Sequence, residues 1–327
     1  PGANLSEVGG PVADLYRRSL LIARTQIDNG GAIIAANDHD VTERATDHYS
    51  YLWPRDGAFV ANAFDVAGYP EISRRFFTLC RNIVHERGYF LQKYNPDGTL
   101  GSGWHSHWDA ARERELVPIQ EDETALVLWA LWEHYSISRD DAFAREMYDG
   151  LVVKCADFMA AFRDKETGLP LPSWNLWEDR RGVHTFTCAT VVAGLRAAAN
   201  FSLLFDDATL AAKYSTAANE IVTAMRKYLF SNELGRFYRG LLAAGDDSLT
   251  PDPTVDASLF GVFYFGCFGV HDPTVAGTMR AVIDTLEHKD GFGGVARFEN
   301  DGYMRTSDGV AGNSWPICTL WLAEYYI

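Results

Sequence analysis

Five stretches of this chain are apolar almost all the way round a helix: DGAFVANAFDVAG (56–68), ETALVLWALW (123–132), TCATVVAGLRAAA (187–199), DASLFGVFYFGCFG (256–269) and WPICTLWLA (315–323). Such a helix has no face for water and must be enclosed by protein. Between them lie segments with one apolar stripe and one charged face, over 71–87, 140–163, 207–230 and 273–288. In 140–163 the stripe is Phe143, Met147, Leu151, Cys155, Met159 and Phe162, at steps of three or four. Enclosed and water-facing helices therefore alternate. A toroid of helical hairpins satisfies that pattern, with apolar helices in an inner ring and amphipathic ones outside. About ten helices are legible, at 11–28, 57–67, 71–87, 121–137, 140–163, 185–205, 207–230, 255–269, 273–288 and 313–327. That is one hairpin short of a closed ring of six. Strand-like alternation is scarce and short, as in GYFLQKY at 88–94.

With 327 residues, 47% of them hydrophobic, the chain can bury a large core. Its net charge of −15, with no basic stripe to offset it, argues against a nucleic-acid partner. Apolar runs such as TALVLWALW (124–132) fall short of the roughly 20 residues of a membrane helix, which argues against a membrane span. PGANLSEVGG at the start carries no basic or apolar leader, and this reading places the protein in the cytoplasm. The five cysteines are odd in number, widely spaced and set in apolar helical stretches, the pattern of buried thiols in a reducing compartment. His105 and His107 of WHSHW have no companions that would complete a metal ligand set. No cofactor is expected and no metal site is assigned, although a calcium site in the loops 95–109 or 245–256 stays open.

The loops ahead of the apolar helices hold most of the polar and aromatic residues, at 49–56, 95–123, 169–184 and 292–315. On a helical toroid these loops would open at one end, where a rigid scaffold can build a site. They would line a funnel with Trp53, Trp104, Trp108, Trp174, Trp177 and Trp315 and with Asp, Glu and Arg. Tryptophan with carboxylates and arginines suits a sugar, whose ring face stacks on indole and whose hydroxyls take forked hydrogen bonds. No dinucleotide fingerprint, phosphate loop or nucleophile elbow is present. Breaking a glycosidic bond needs only two carboxyls, one protonated and one ionised. A glutamate against an indole wall is held as an acid near neutral pH, and Glu178 after Trp177 fits, although Arg180 and Arg181 would oppose this if they face it. Simpler readings stand beside these. Trp177 and Glu178 could cap the helix starting near His184. Arg55 and Asp56 could be an ordinary N-terminal cap, and so could Gln120 to Glu123. Caps alone, however, do not require the tryptophans and prolines beside each of these carboxylates.

The segments YLWPRDGAFVANAFDVAG, VPIQEDETALVLWALWEHY, LPLPSWNLWEDRRGVHTFTCATVVAGL and ARFENDGY…GNSWPICTLWLAEYY resemble, in order and spacing, glycoside hydrolase family 15, the glucoamylase family. The second segment resembles its bacterial branch, which holds glucodextranase and isomaltose glucohydrolase-type members. The resemblance implies an all-α fold, the (α/α)6 barrel, here a single domain over 1–327 with its last one or two helices beyond the sequence. It implies inversion of configuration and release of β-glucose from non-reducing ends. By motif, Glu178 matches the general acid. Arg55 and Asp56 match the pair holding the terminal glucose, with Trp53 alongside. Arg297 matches an arginine near the reducing-side sugar, and Trp177, Asp179 and Trp315 match subsite positions. The family's general base would lie C-terminal to Ile327. ELVPIQEDE stands where starch-acting members carry a tryptophan loop, which turns the expectation away from long starch chains. The expected activity is an exo-acting glucoside hydrolase for short α-glucosides, α-1,6-linked (isomaltose, isomalto-oligosaccharides) ahead of α-1,4-linked. The alternatives are a trehalase of the same family and a non-catalytic sugar-binding relative. A small oligosaccharide is the expected partner, with the protein a monomer or small homo-oligomer.

Overall fold

The computed structural model describes residues 4–37, 49–103, 105–110, 113–244, 248–289, 291, 293–305, 307 and 309–327. Two compact units emerge, Pro1–Ala161 with Gly194–Ser215, and Phe162–Ala193 with Thr216–Ile327.

The first unit holds helices α1 (Gly10–Thr25), α2 (Pro54–Val66), α3 (Pro70–Ile83), α4 (Glu121–Ser138), α5 (Asp141–Met147) and α6 (Lys154–Ala161). Its remaining helical parts are the C-terminal end of α7 (Thr185–Leu204) and the start of α8 (Ala208–Ala224). Pro54 and Pro70 open α2 and α3, where proline's fixed φ suits the first turn and its missing N–H is not needed. α3 is amphipathic and buries Ser73, Phe76, Phe77 and Cys80 on one face. α4 is buried on every side from Glu121 to Leu128, as its composition requires. Between α2 and α4, the buried His134 Nδ1 lies 2.9 Å from Asp65 Oδ1.

The helix expected over 140–163 is interrupted. Asp140 accepts the Phe143 N–H at 3.0 Å and caps α5, and the step from α5 to α6 is a π turn, Tyr148–Val153. Gly150 in that turn lies so close to the Arg81 stem that a Cβ would stand 3.3 Å from it, so a bare backbone lets the widened turn fit. The apolar stripe survives the interruption: Phe143, Met147, Leu151, Cys155 and Met159 are all buried. The stretch 88–94 forms no strand and makes isolated bridges only at Tyr94, to Leu52 and to Leu100.

The second unit adds a four-stranded antiparallel sheet in the order Ser173–Trp174, Arg181–His184, Gly240–Ala243, Leu249–Asp252. Gly182 and Gly240 let its two central strands lie close, since a Cβ on Gly182 would meet the Leu241 carbonyl oxygen at 2.3 Å. The unit also contains the N-terminal part of α7, the rest of α8, α9 (Gly261–Tyr264), α10 (Pro273–Leu286) and α11 (Pro316–Tyr326). The long helix expected over 255–269 is only a 3₁₀ turn, Ala257–Phe260, running into the single turn of α9. Gly266, at φ 69°, bends the chain away immediately afterwards. The apolar residues of this stretch still face a core, where the Phe260 and Trp321 rings stack 4.4 Å apart at 10°.

The expectation that every apolar run is too short to span a membrane needs correcting. α7 is 20 residues long and apolar enough to cross a membrane, but 78% of its apolar window is buried in the protein, as in an enclosed core helix. All five cysteines are buried and none forms a disulfide.

Candidate active site

In the second unit, Glu178 lies on the turn joining strands Ser173–Trp174 and Arg181–His184. Asn175 fastens this turn. Its Oδ1 accepts the Asp179 and Arg180 N–H groups at 3.1 and 3.3 Å, and its Nδ2 donates to Asp179 Oδ1 at 2.7 Å. The Glu178 N–H donates to the Asn175 carbonyl at 3.0 Å, and Glu178 itself is held at φ 65°. Only glycine visits that left-handed region without penalty; for other residues it costs roughly 1–2 kcal/mol. A β-strand separates Glu178 from α7, which begins at Thr185, so the capping reading fails. Asp179 is exposed, 3.6 Å from Arg180, and its visible role is to brace the turn.

The half-buried Trp177 beside Glu178 donates its indole N–H to Asp256, at 3.0 Å to Oδ2 and 3.3 Å to Oδ1. The Arg297 guanidinium sits among four rings, 4.6 Å from Trp315, 5.1 Å from Tyr303 and 5.3 Å from both Trp177 and Phe298. Its orientation is fixed by a forked pair to Asp301, Nε to Oδ2 at 2.7 Å and Nη2 to Oδ1 at 2.8 Å. Burial pushes the Asp301 carboxyl up, but the Arg297 bonds, the Tyr303 N–H and the charges of Arg297 and Arg305 outweigh it and hold the group below the usual range. Trp177, Arg297 and Trp315 are thus brought together, with Glu178 adjoining.

In the first unit, Trp53 is buried at the start of α2, edge-on to Tyr51 at 6.0 Å. Arg55 reaches the N-terminus of α4, where its Nη1 lies 3.0 Å from Asp122 Oδ2 and 3.5 Å from Glu123 Oε1 and also donates to Gln120 Oε1. Asp56 is half-exposed, 3.6 Å from Arg55 Nε. Asp56 does lie in the first turn of α2, and Glu121, Asp122 and Glu123 in that of α4, as the cap readings expected, but neither Trp53 nor Gln120, the residues that precede the two helices, makes a side-chain capping bond. Glu121, Asp122 and Glu123 are completely buried. Burial raises the Asp122 carboxyl and the Arg55 charge pulls against it. Lys93 is buried over the Tyr51 and Trp53 rings at 4.4 and 5.2 Å. Burial and the Arg55 and Lys93 charges push the His105 imidazole down to about 4. Gln92, Lys93, Ser102, His105 and Pro118 line a small cleft there.

Two participants escaped sequence reading. Lys93 lies in the stretch read as strand-like, and nothing local marks it as buried. Asp256 was legible as a helix start, and it does accept the Ser258 N–H at 2.8 Å, but its bond to Trp177 spans 79 residues. Of the remaining funnel tryptophans, Trp108 is 54% exposed and Trp174 half-buried, and Trp104 lies outside the described residues. Among the described residues no group of three His, Cys, Asp or Glu side chains could hold a metal ion.

Comparison with known proteins adds to this geometry. The family model described as glycosyl hydrolases family 15 matches residues 10–327. An uncharacterized glycosyl hydrolase of Methanocaldococcus jannaschii is 28% identical over 317 residues, 96% of this chain and 45% of that protein. A glucoamylase of Clostridium sp. is 26% identical over 347 residues, 97% of this chain and 45% of that one. Among solved structures, a bacterial glucoamylase complexed with acarbose superposes with a TM-score of 0.77 at 23% identity, covering 97% of this chain and 47% of its own. A wild-type glycosidase gives 0.72 at 22%, covering 95% and 77%. The fold is therefore the glucoamylase-type α/α barrel expected from the alternation of helices. The chain spans less than half the length of the curated relatives it matches.

Proposed function

The chain belongs to glycosyl hydrolases family 15, and from that premise we propose that it carries the acid half of an inverting, exo-acting glucoside hydrolase. It would release β-glucose from the non-reducing ends of short α-glucosides, α-1,6-linked ahead of α-1,4-linked. The observation that supports this most is Glu178, held left-handed on a fastened turn beside an indole. Non-glycine residues at such angles concentrate where function requires them. In this reading Glu178 gives its proton to the glycosidic oxygen as the bond from that oxygen to C1 breaks. Water enters at C1 from the opposite face and passes its proton to a second carboxylate, the one that the resemblance places after Ile327. Inversion requires the two carboxyls to stand about 6.5–9.5 Å apart, leaving room for that water. Arg297 and its aromatic surround form the reducing-side wall. By the resemblance, Arg55, itself held by the carboxylates of α4, would bind the terminal glucose with Asp56 and Trp53.

Proton NMR of the sugar released from isomaltose, maltose, panose, dextran, starch and trehalose by the gene's full product tests this. The first sugar to appear should be β-glucose, fastest from isomaltose or panose, and Glu178→Gln should lose it by about 10²–10⁴-fold, the usual worth of a general acid. Release of α-glucose would overturn the inverting mechanism, and acarbose binding without hydrolysis of any substrate would leave a sugar-binding relative.

A further inference from the structure

Asp256 is completely buried, yet it takes part in no step of the reaction proposed above. Both of its carboxylate oxygens face the Trp177 indole N–H, and Oδ1 also accepts the Ser258 N–H at 2.8 Å. Arg239 Nη1 stands 3.8 Å from Oδ2, itself tied by its Nε to Asp252 at 2.7 Å. The backbone around Asp256 is joined to the segment that carries Arg297. Asp256 bridges to Phe298, and the Ala257 N–H donates to the Arg297 carbonyl at 2.8 Å. One buried carboxylate therefore connects to both sides of the site: through the indole to the residue beside Glu178, and through the main chain to Arg297. A helix cap needs only the Ser258 bond and can sit at the surface. A charge removed from water and aimed at an indole costs stability, and that cost is hard to explain by capping alone.

We propose that Asp256 is a positioning residue for the hydrolysis, holding the Trp177 indole at one tilt so that Glu178 and Arg297 meet the glycosidic bond in register. The proposal rests on the reading of Glu178 as the acid. Asp256 touches neither sugar nor proton, so its removal should be felt in kcat more than in KM. A displaced catalytic group on this scale costs about 10²-fold.

The test is a double-mutant cycle on the gene's full product, with Asp256→Asn and Trp177→Phe made singly and together. Glu178→Gln is the control, and steady-state constants are measured on isomaltose or maltose. Asparagine keeps the size and the Ser258 cap but sets an NH₂ against the indole or loses one acceptor. Asp256→Asn is expected to lower kcat about 10- to 100-fold with KM within about 3-fold. The double variant should be no slower than Trp177→Phe alone, because both substitutions remove the same bond. Additive losses, or a variant that melts earlier but turns over normally, would overturn the positioning role and leave a structural cap. If Asp256→Asn does not fold, Trp177→Phe must by itself reproduce the kcat loss, or the proposal fails. If Glu178→Gln stays active, it is the acid assignment that falls. If Glu178→Gln is dead while Asp256→Asn is normal, only the positioning role falls.

Discussion

At Glu178 the backbone and the side chain make opposite demands. The turn that Asn175 fastens puts this residue at φ 65°, where glycine would sit without strain, while the chemistry asks for a carboxyl. Glu178→Gly should therefore raise stability slightly, by up to about 1 kcal/mol once glycine's own entropy cost is subtracted, while abolishing hydrolysis. Thermal melts beside the activity assay would check it, and a variant less stable than the parent would mean that the left-handed angle is not a source of strain. The identity of Glu178 was legible in the sequence because Trp, Glu and Asp are adjacent there. Its backbone angle was not legible, because no glycine or asparagine at 178 announces a left-handed turn. Arg55 shows the same division. Its place before an apolar helix could be read, but its buried partners Asp122 and Glu123, far along the chain, could not.

Helices α4 and α7 were the most legible elements, since a segment apolar on every face needs no tertiary knowledge to be placed inside. Where they touch was not legible. Gly194 lies in mid-α7, where replacing glycine by alanine favours an isolated helix by about 1 kcal/mol. Here, however, an added Cβ would stand 2.8 Å from the Ala125 carbonyl oxygen and 3.0 Å from its Cα, both backbone atoms of α4 that cannot swing aside. Overpacking of that kind costs about 1–3 kcal/mol and outweighs the gain in helix propensity, so Gly194→Ala should lower the urea midpoint with the m-value unchanged. A midpoint at or above that of the parent would show that α4 and α7 can part without cost. The other elements that escaped reading share one physical cause. Strands of two to four residues are too short to show alternation. The π turn in 148–153 and the 3₁₀ turn in 257–260 preserve the apolar stripe while changing the hydrogen bonds beneath it.

Across the molecule, the titration of buried groups sets where the fold tolerates acid. Burial, then the charge of Arg239, push the His184 imidazole down to about 4, against the opposing pull of the Arg180 carbonyl, Asp179 and Asp252. His105 in the other unit is pushed to about 4 as well. Well above pH 6.5 both histidines are neutral whether the chain is folded or not. Between pH 6.5 and about 4 the unfolded chain takes up protons that the folded one refuses, so stability falls as the pH falls, by about 1.4 kcal/mol per pH unit for each proton. The buried Asp122 and Asp256 act in the opposite sense. Their raised carboxyls hold protons that the unfolded chain has released, so their contribution is lost as the pH rises through their folded values. The measured slope is a balance of the two, and a variant separates them. Against His184→Leu, which cannot titrate, the relative stability of the parent should hold constant above pH 6.5 and then drop by about 3 kcal/mol on the way to pH 4. Urea midpoints at pH 7.5, 6.5, 5.5 and 4.5 would measure this. A stability difference that did not change with pH would mean that His184 takes up its proton equally in the folded and unfolded chain, and one that rose as the pH fell would mean that Asp179 or Asp252 rather than burial decides its charge.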